Sequence, residues 1–194
     1  DEMMPIQLMN GFPTLKGITI QMAPIFLVGE VDQQANIYYI DAIEHYGLAS
    51  DVCPLPAAEA GCCVVDDYPK VGAAYISSSM PCDGSVASTM YSNRYFKLPN
   101  YQVTPPQRFN EPEVQKYAVK NLWGCIEFIE KQFGVKFDWN AFFEGVKRYN
   151  KESNYMIEKW DVNCTDYPQI CGAALALHRE YEMQIASSLD PKMC

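Results

Sequence analysis

Apolar and polar positions along this chain change period several times, and each change predicts an element. The first thirty residues alternate apolar clusters with turn signals: Gly11-Phe12-Pro13, then Leu15 to Met22, then Ile25 to Val28. Ile18-Thr19-Ile20 is β-branched and strand-like. Gln33 to Tyr46 reads as a helix, with Ile37, Ile40, Ile43 and Tyr46 on one face and Gly47 as its stop. Asp51 to Pro56 reads as extended, because Pro54 and Pro56 disfavour helix in the residues before them. Ala57 to Val65 follows as a short buried helix carrying Cys62 and Cys63, and Pro69 breaks it. A β-like run, Val71 to Ile76, passes through three serines to Met80-Pro81-Cys82-Asp83-Gly84 and feeds a helix over Ser85 to Tyr95. Tyr101-Gln102-Val103 is a second strand, ending at Pro105-Pro106.

Beyond it, Asn110-Glu111-Pro112-Glu113 is a helix start with Asn110 as the cap. Val114, Tyr117, Ala118, Leu122, Cys125, Phe128, Ile129 and Phe133 then recur at helical spacing up to Gly134. Asp138 caps a further helix, with Phe142, Val146, Tyr149 and Asn150 on one face, running to Trp160. Asp161 to Cys171 reads as a loop, and Gly172 to Ser188 as a last helix. The expected class is therefore α/β: a parallel-sheet lobe over 1–110, followed by a helical segment over 111–194.

Composition narrows the function classes. Hydrophobic content of 48% is ample for a core, so the chain is not a disordered tail. The net charge of −9, with no Lys/Arg block, argues against nucleic acid or an anionic membrane as principal partner. No apolar run approaches the ~18 residues of a membrane span. The first residues have no signal-peptide pattern and no initiator Met, so a fragment is expected, working in a reducing cytoplasm. Eight cysteines stand at 53, 62, 63, 82, 125, 164, 171 and 194, in none of the spacings of a zinc finger, zinc ribbon or ferredoxin.

Chemistry concentrates on Val71 to Tyr91. A strand that ends in a small-residue loop and opens a helix is where ligands gather in α/β sheets, and here that loop presents Cys82. Cys53 shares the context: it follows an extended segment and is flanked by proline. Two such strand-end thiols can converge, and thiolate is the usual protein ligand of an iron–sulfur cluster. Equally, both read as small buried hydrophobes. Asp83-Gly84 reads as a loop-shaping pair or an ordinary turn, with Gly84 open to positive φ. Ser77, Ser78 and Ser79 read as donors to a cluster sulfide or thioester, or as loop polarity. His45 suits a helix C-terminus and His178 a solvated face, and no G-x-S-x-G elbow or phosphate-binding glycine loop is present. Cys125 reads as structural; Cys164, Cys171 and Cys194 are assigned no ligand role. Asp66-Asp67 and the Glu180/Glu182 pair read as solvated surface.

The stretch from about Tyr46 to Asn150 resembles the 2-hydroxyacyl-CoA dehydratase / benzoyl-CoA reductase family, at the N-terminal lobe of a D-component-like subunit. Asp51-Val52-Cys53-Pro54-Leu55 looks like the family's first cysteine segment, and Ser79-Met80-Pro81-Cys82-Asp83-Gly84-Ser85 like its cysteine–aspartate–glycine segment. Gly134-Val135-Lys136-Phe137-Asp138 is similar to its junction between two helices. The resemblance implies a Rossmann-like lobe and a [4Fe–4S] cluster in the complete protein. Cys53 and Cys82 would be two of its ligands, with Ser79, Asp83 and Gly84 around the cofactor; no catalytic residue is assigned. It also implies an acyl-CoA substrate, a second dehydratase subunit and a separate ATP-hydrolysing iron–sulfur activator. The reaction would be loss of water from a 2-hydroxyacyl-CoA through a ketyl radical. A related reductase and a non-catalytic scaffold lobe are the alternatives. The family's third cysteine, from a second lobe, has no counterpart here, so the isolated chain is expected to be metal-free and inactive. Pro54 stands where relatives often carry serine, and Gln21 where they often carry an acid.

Overall fold

Prolines, aspartates and glycines set where the helices begin and end. The computed structural model describes residues 6–17, 29, 32–68, 70, 72–79, 84–106, 108, 110–170, 172, 174 and 175. After a short 3-10 helix, Ile6–Gly11, come α1 (Gln33–His45), α2 (Pro54–Val64), β1 (Tyr75–Ser78) and α3 (Gly84–Phe96). They are followed by β2 (Asn100–Val103), α4 (Pro112–Phe133) and α5 (Trp139–Asn163). The Ile18–Ile20 strand lies outside the described residues, as does most of the helix expected over 172–188.

Four local expectations are corrected. Helix α2 begins at Pro54, not Ala57: both prolines lie in its first turn, where backbone N–H groups have no intrahelical partner to lose. Helix α4 is capped by Glu111 in place of Asn110, without a side-chain cap bond. A proline at the first helical position holds the residue before it extended, and that residue is Glu111. Strand β1 is Tyr75–Ser78 instead of Val71–Ile76. Gly72 has φ 101°, off the extended region, so two of the serines expected in the loop complete the strand. Helix α5 runs past Trp160 to Asn163.

Other signals hold. Asp32 accepts from the Gln34 N–H at 3.0 Å, and Asp138 from the N–H groups of Asn140 and Ala141 at 2.8 and 3.1 Å. Such caps are each worth about 1 kcal/mol. Gly134 ends α4 at φ 66°, its N–H donating to the Glu130 carbonyl at 2.9 Å.

Strands β1 and β2 pair in parallel, Tyr75 opposite Asn100 through Ser78 opposite Val103. Parallel neighbours require a crossover, and α3 supplies it. Among the described residues the result is a helix-rich α/β arrangement around a two-stranded parallel sheet.

The chain divides into two compact units, chiefly Ile20–Val135 and Met4–Thr19 with Lys136–Cys194. The boundary expected at 110/111 falls inside the first. There α4 lies on β2: Tyr101 Oη donates to the Asn121 carbonyl at 2.9 Å, and Asn121 Oδ1 accepts from the Thr104 N–H at 2.9 Å. Buried Cys125, Ile126 and Ile129 form the inner stripe of α4.

Helices α1 and α2 meet through Ile43, Ala57 and Ala60, with Ile40, Leu48, Val64 and Tyr91 around them. Ile37 and Tyr46, expected on that face, are exposed. The contact is narrow because α2 presents only small residues there, culminating in Gly61 under the Tyr39 carbonyl.

In the second unit the 3-10 helix packs on α5. The Asp138 N–H donates to the Gly11 carbonyl at 2.8 Å, Phe12 is fully buried, and its ring meets that of Phe137 edge-on at 5.1 Å.

Candidate functional site

The β1–α3–β2 crossover determines where the sequence-predicted residues lie. Tyr75, at the start of β1, meets Phe96 at the end of α3, with ring centroids 5.5 Å apart. Helix α3 therefore returns antiparallel to β1, and its first residue, Gly84, lies toward the C-terminal end of the strand. Ser79 lengthens the ladder by one bond, its N–H donating to the Val103 carbonyl at 3.1 Å. Ser79 and Gly84 are both half-buried and flank residues 80–83. Cys82 and Asp83 lie outside the described residues.

Cys53 is the N-cap of α2, exposed and free. Helices α2 and α3 run alongside one another. Cys63 Sγ lies 3.6 Å from Ser92 Oγ, and further along both segments Tyr68 meets Phe96 edge-on at 5.3 Å. Contacts that advance in the same order along both segments mean parallel helices, so both helix N-termini lie toward the C-terminal end of β1. That end carries Cys53, Ser79 and Gly84, and the partial positive charge of two helix N-termini favours an anion there. Among the described residues no group of three or more His, Cys, Asp or Glu side chains converges as a metal site.

Behind this end, the face between β1 and α3 is lined with hydroxyls. Ser77, Ser78, Ser85, Ser88, Thr89 and Ser92 are all buried. Ser88 Oγ donates to the Ser85 carbonyl at 3.2 Å, whereas Ser77 Oγ is buried with no hydrogen-bond partner. Reading the serines as loop polarity is thus corrected for Ser77 and Ser78: pairing with Gln102 and Val103 draws them into the strand.

Sequence reasoning missed a buried carboxylate. Glu59, 1% exposed, accepts from Tyr68 Oη at 3.3 Å within the first unit's core. Its one signal was a lone acid inside the small, apolar run Ala57–Val65.

Burial raises the pKa of Cys62 to about 11, and those of Cys63 and Cys125 to about 12 and about 11. Burial likewise raises Tyr39 to about 12. These thiols are neutral hydrophobes and not standing nucleophiles. Of the five described cysteines, Cys53 and Cys164 should therefore take up iodoacetamide in mildly alkaline buffer. Cys62, Cys63 and Cys125 should react only once the chain is denatured, as peptide mapping by mass spectrometry will show. The stability consequence has a definite sign. Each buried thiol holds its proton more tightly folded than unfolded, so its contribution is complete below the ordinary value of 9.0. It is lost as pH rises from there toward 11 to 12. Labelling of Cys62 or Cys63 at the rate of Cys53 in the native chain would contradict this reading.

Cys164 caps the C-terminus of α5, in the second unit, and Asp66 and Asp67 are exposed. His178, Cys171, Cys194 and the Glu180/Glu182 pair lie outside the described residues. No helix among the described residues is long and apolar enough to cross a membrane. The chain matches the family model described as 2-hydroxyglutaryl-CoA dehydratase, D-component, over residues 21–188. No curated protein and no solved structure matches it.

Proposed function

We propose, from the premise that this chain belongs to the 2-hydroxyglutaryl-CoA dehydratase D-component family, that it is the Rossmann-like N-terminal lobe of a 2-hydroxyacyl-CoA dehydratase subunit. The observation that carries this reading is the span of the family match, which takes in both proline-flanked cysteine segments, around Cys53 and Cys82. In the complete protein Cys53 and Cys82 ligate a [4Fe–4S] cluster. When bound, the cluster supplies the one-electron chemistry by which a 2-hydroxyacyl-CoA loses water by way of its ketyl radical.

The described residues fit such a group as far as they reach. An exposed thiol at a helix N-terminus is a soft ligand in a field that favours thiolate. The orphaned Ser77 hydroxyl lies toward the same end of β1. In this reading Cys53 holds the cofactor from α2, and Ser79 and Gly84 support the loop that brings Cys82 from the other side. Asp83 shapes that loop, and Gly84 lets it approach closely. A second dehydratase subunit completes the ligand set and the wall around the substrate, and an ATP-hydrolysing iron–sulfur activator delivers the electron. Free thiols at all five described cysteines agree with a reducing cytoplasm as the place of work.

The test is anaerobic purification of the chain with its partner subunit, followed by iron and sulfide analysis and an assay with activator, ATP and a 2-hydroxyacyl-CoA. Iron with water elimination is the expected result. Iron with reduction of an aromatic thioester in its place would make the chain a reductase lobe. A complex without iron would make it a scaffold lobe and end the dehydratase reading.

A further inference from the structure

We infer that Ser77 is a positioning and tuning residue whose hydroxyl donates a hydrogen bond to a sulfur of the cluster bound at the C-terminal end of β1, an inference that rests on the cluster reading above. Ser77 is 2% exposed and its Oγ has no hydrogen-bond partner. A buried hydroxyl left unpaired costs about 1–3 kcal/mol. Alanine would fill the same place without that cost, so the hydroxyl is an uncompensated defect in the fold unless something absent from the protein alone completes it.

The direction is set by the strand. Side chains two apart share a face, so Ser77 points to the same side as Tyr75, which meets Phe96 on α3. Ser77 lies about 7 Å further along, toward the end where α3 begins. The other hydroxyls of this seam differ from it. Ser88 Oγ donates within α3, to the Ser85 carbonyl, and Ser92 Oγ pairs with Cys63 Sγ. Ser77 is thus an unpaired donor toward the end where two helix N-termini favour an anion. Cluster sulfurs are acceptors, and hydrogen bonds to them raise the reduction potential.

Three variants of the anaerobically purified complex test this: Ser77→Ala, Ser77→Thr and Ser88→Ala, each read by iron content, by the midpoint potential of the cluster and by melting of the metal-free chain. Ser77→Ala should keep its iron, shift the midpoint to more negative potential, and melt no lower than wild type without metal, since an orphan has been removed. Ser77→Thr keeps the hydroxyl and should hold the wild-type potential. Ser88→Ala should leave the potential unchanged while lowering the melting temperature. A Ser77→Ala complex with wild-type iron and wild-type potential overturns the inference and leaves the cluster reading standing. So does a metal-free Ser77→Ala chain that melts well below wild type, which would show a hydroxyl bonded to buried water. A wild-type complex without iron overturns both.

Discussion

Cys53→Ser should bring the iron content of the purified complex down to background, while Cys164→Ser leaves it at the wild-type level. The two thiols are matched in being exposed and free, and each sits at a helix terminus. They differ in which terminus. Cys53 caps the N-terminal end of α2, where the helix dipole favours thiolate. Cys164 caps the C-terminal end of α5, where the same dipole opposes it. Residues that merely support a ligand are commonly worth about 10–100-fold in metal affinity, so removing the ligand itself should cost at least that. Serine keeps the shape at position 53 and is a favoured N-cap, so the loss cannot be charged to unfolding of α2. Iron, sulfide and far-ultraviolet dichroism measured on the same samples decide it. Full iron in the Cys53→Ser complex would remove Cys53 from the ligand set.

Gly61→Val should have the largest effect on stability, costing roughly 3 kcal/mol or more against the 5–15 kcal/mol that holds a typical domain together. A Cβ at position 61 would run into the carbonyl oxygen of Tyr39, and its next neighbours are the carbonyl carbon and Cα of the same residue. The obstacle is the backbone of α1 and not the tip of a side chain, so no rotamer change relieves it. The two helices must part, and with them the cluster of Ile43, Ala57 and Ala60. Gly47→Ala is the comparison: at φ 97° it has open space around it and loses only about 1–2 kcal/mol to backbone strain. Urea titration of both variants measures the difference. A Gly61→Val midpoint equal to that of Gly47→Ala would mean that α1 and α2 do not pack as closely as described.

The ends of the helices were the most legible part of the fold, because end signals are local. Asp32, Asp138 and Gly134 act on backbone groups within four residues of themselves, so their chemistry was visible in the chain. Where an end signal met a neighbour with a stronger demand, the local reading slipped by a residue or a turn. Pro112 moved the cap from Asn110 to Glu111, and the first turn of α2 absorbed Pro54 and Pro56. In the candidate site, the sequence singled out Cys53, Ser79 and Gly84, but not that two parallel helices start beside one strand end. It also gave no reason to separate Ser77 from its neighbouring serines, since an unpaired hydroxyl is a property of its surroundings.

By itself the amino-acid sequence determined which segments are helical, that a strand–helix–strand crossover lies at its centre, and to which family it belongs. All of these rest on short-range periodicity, on caps and on motifs that the chain carries in one dimension. Only the tertiary structure decided that β1 ends at Ser78, because a strand is bounded by its partner's hydrogen bonds. It alone buried Glu59 and Ser77, left Ile37 and Tyr46 in solvent, and brought Gly61 against α1. Burial and close approach depend on what lies across a gap in space, and the identity of that neighbour is not written in the residues on either side.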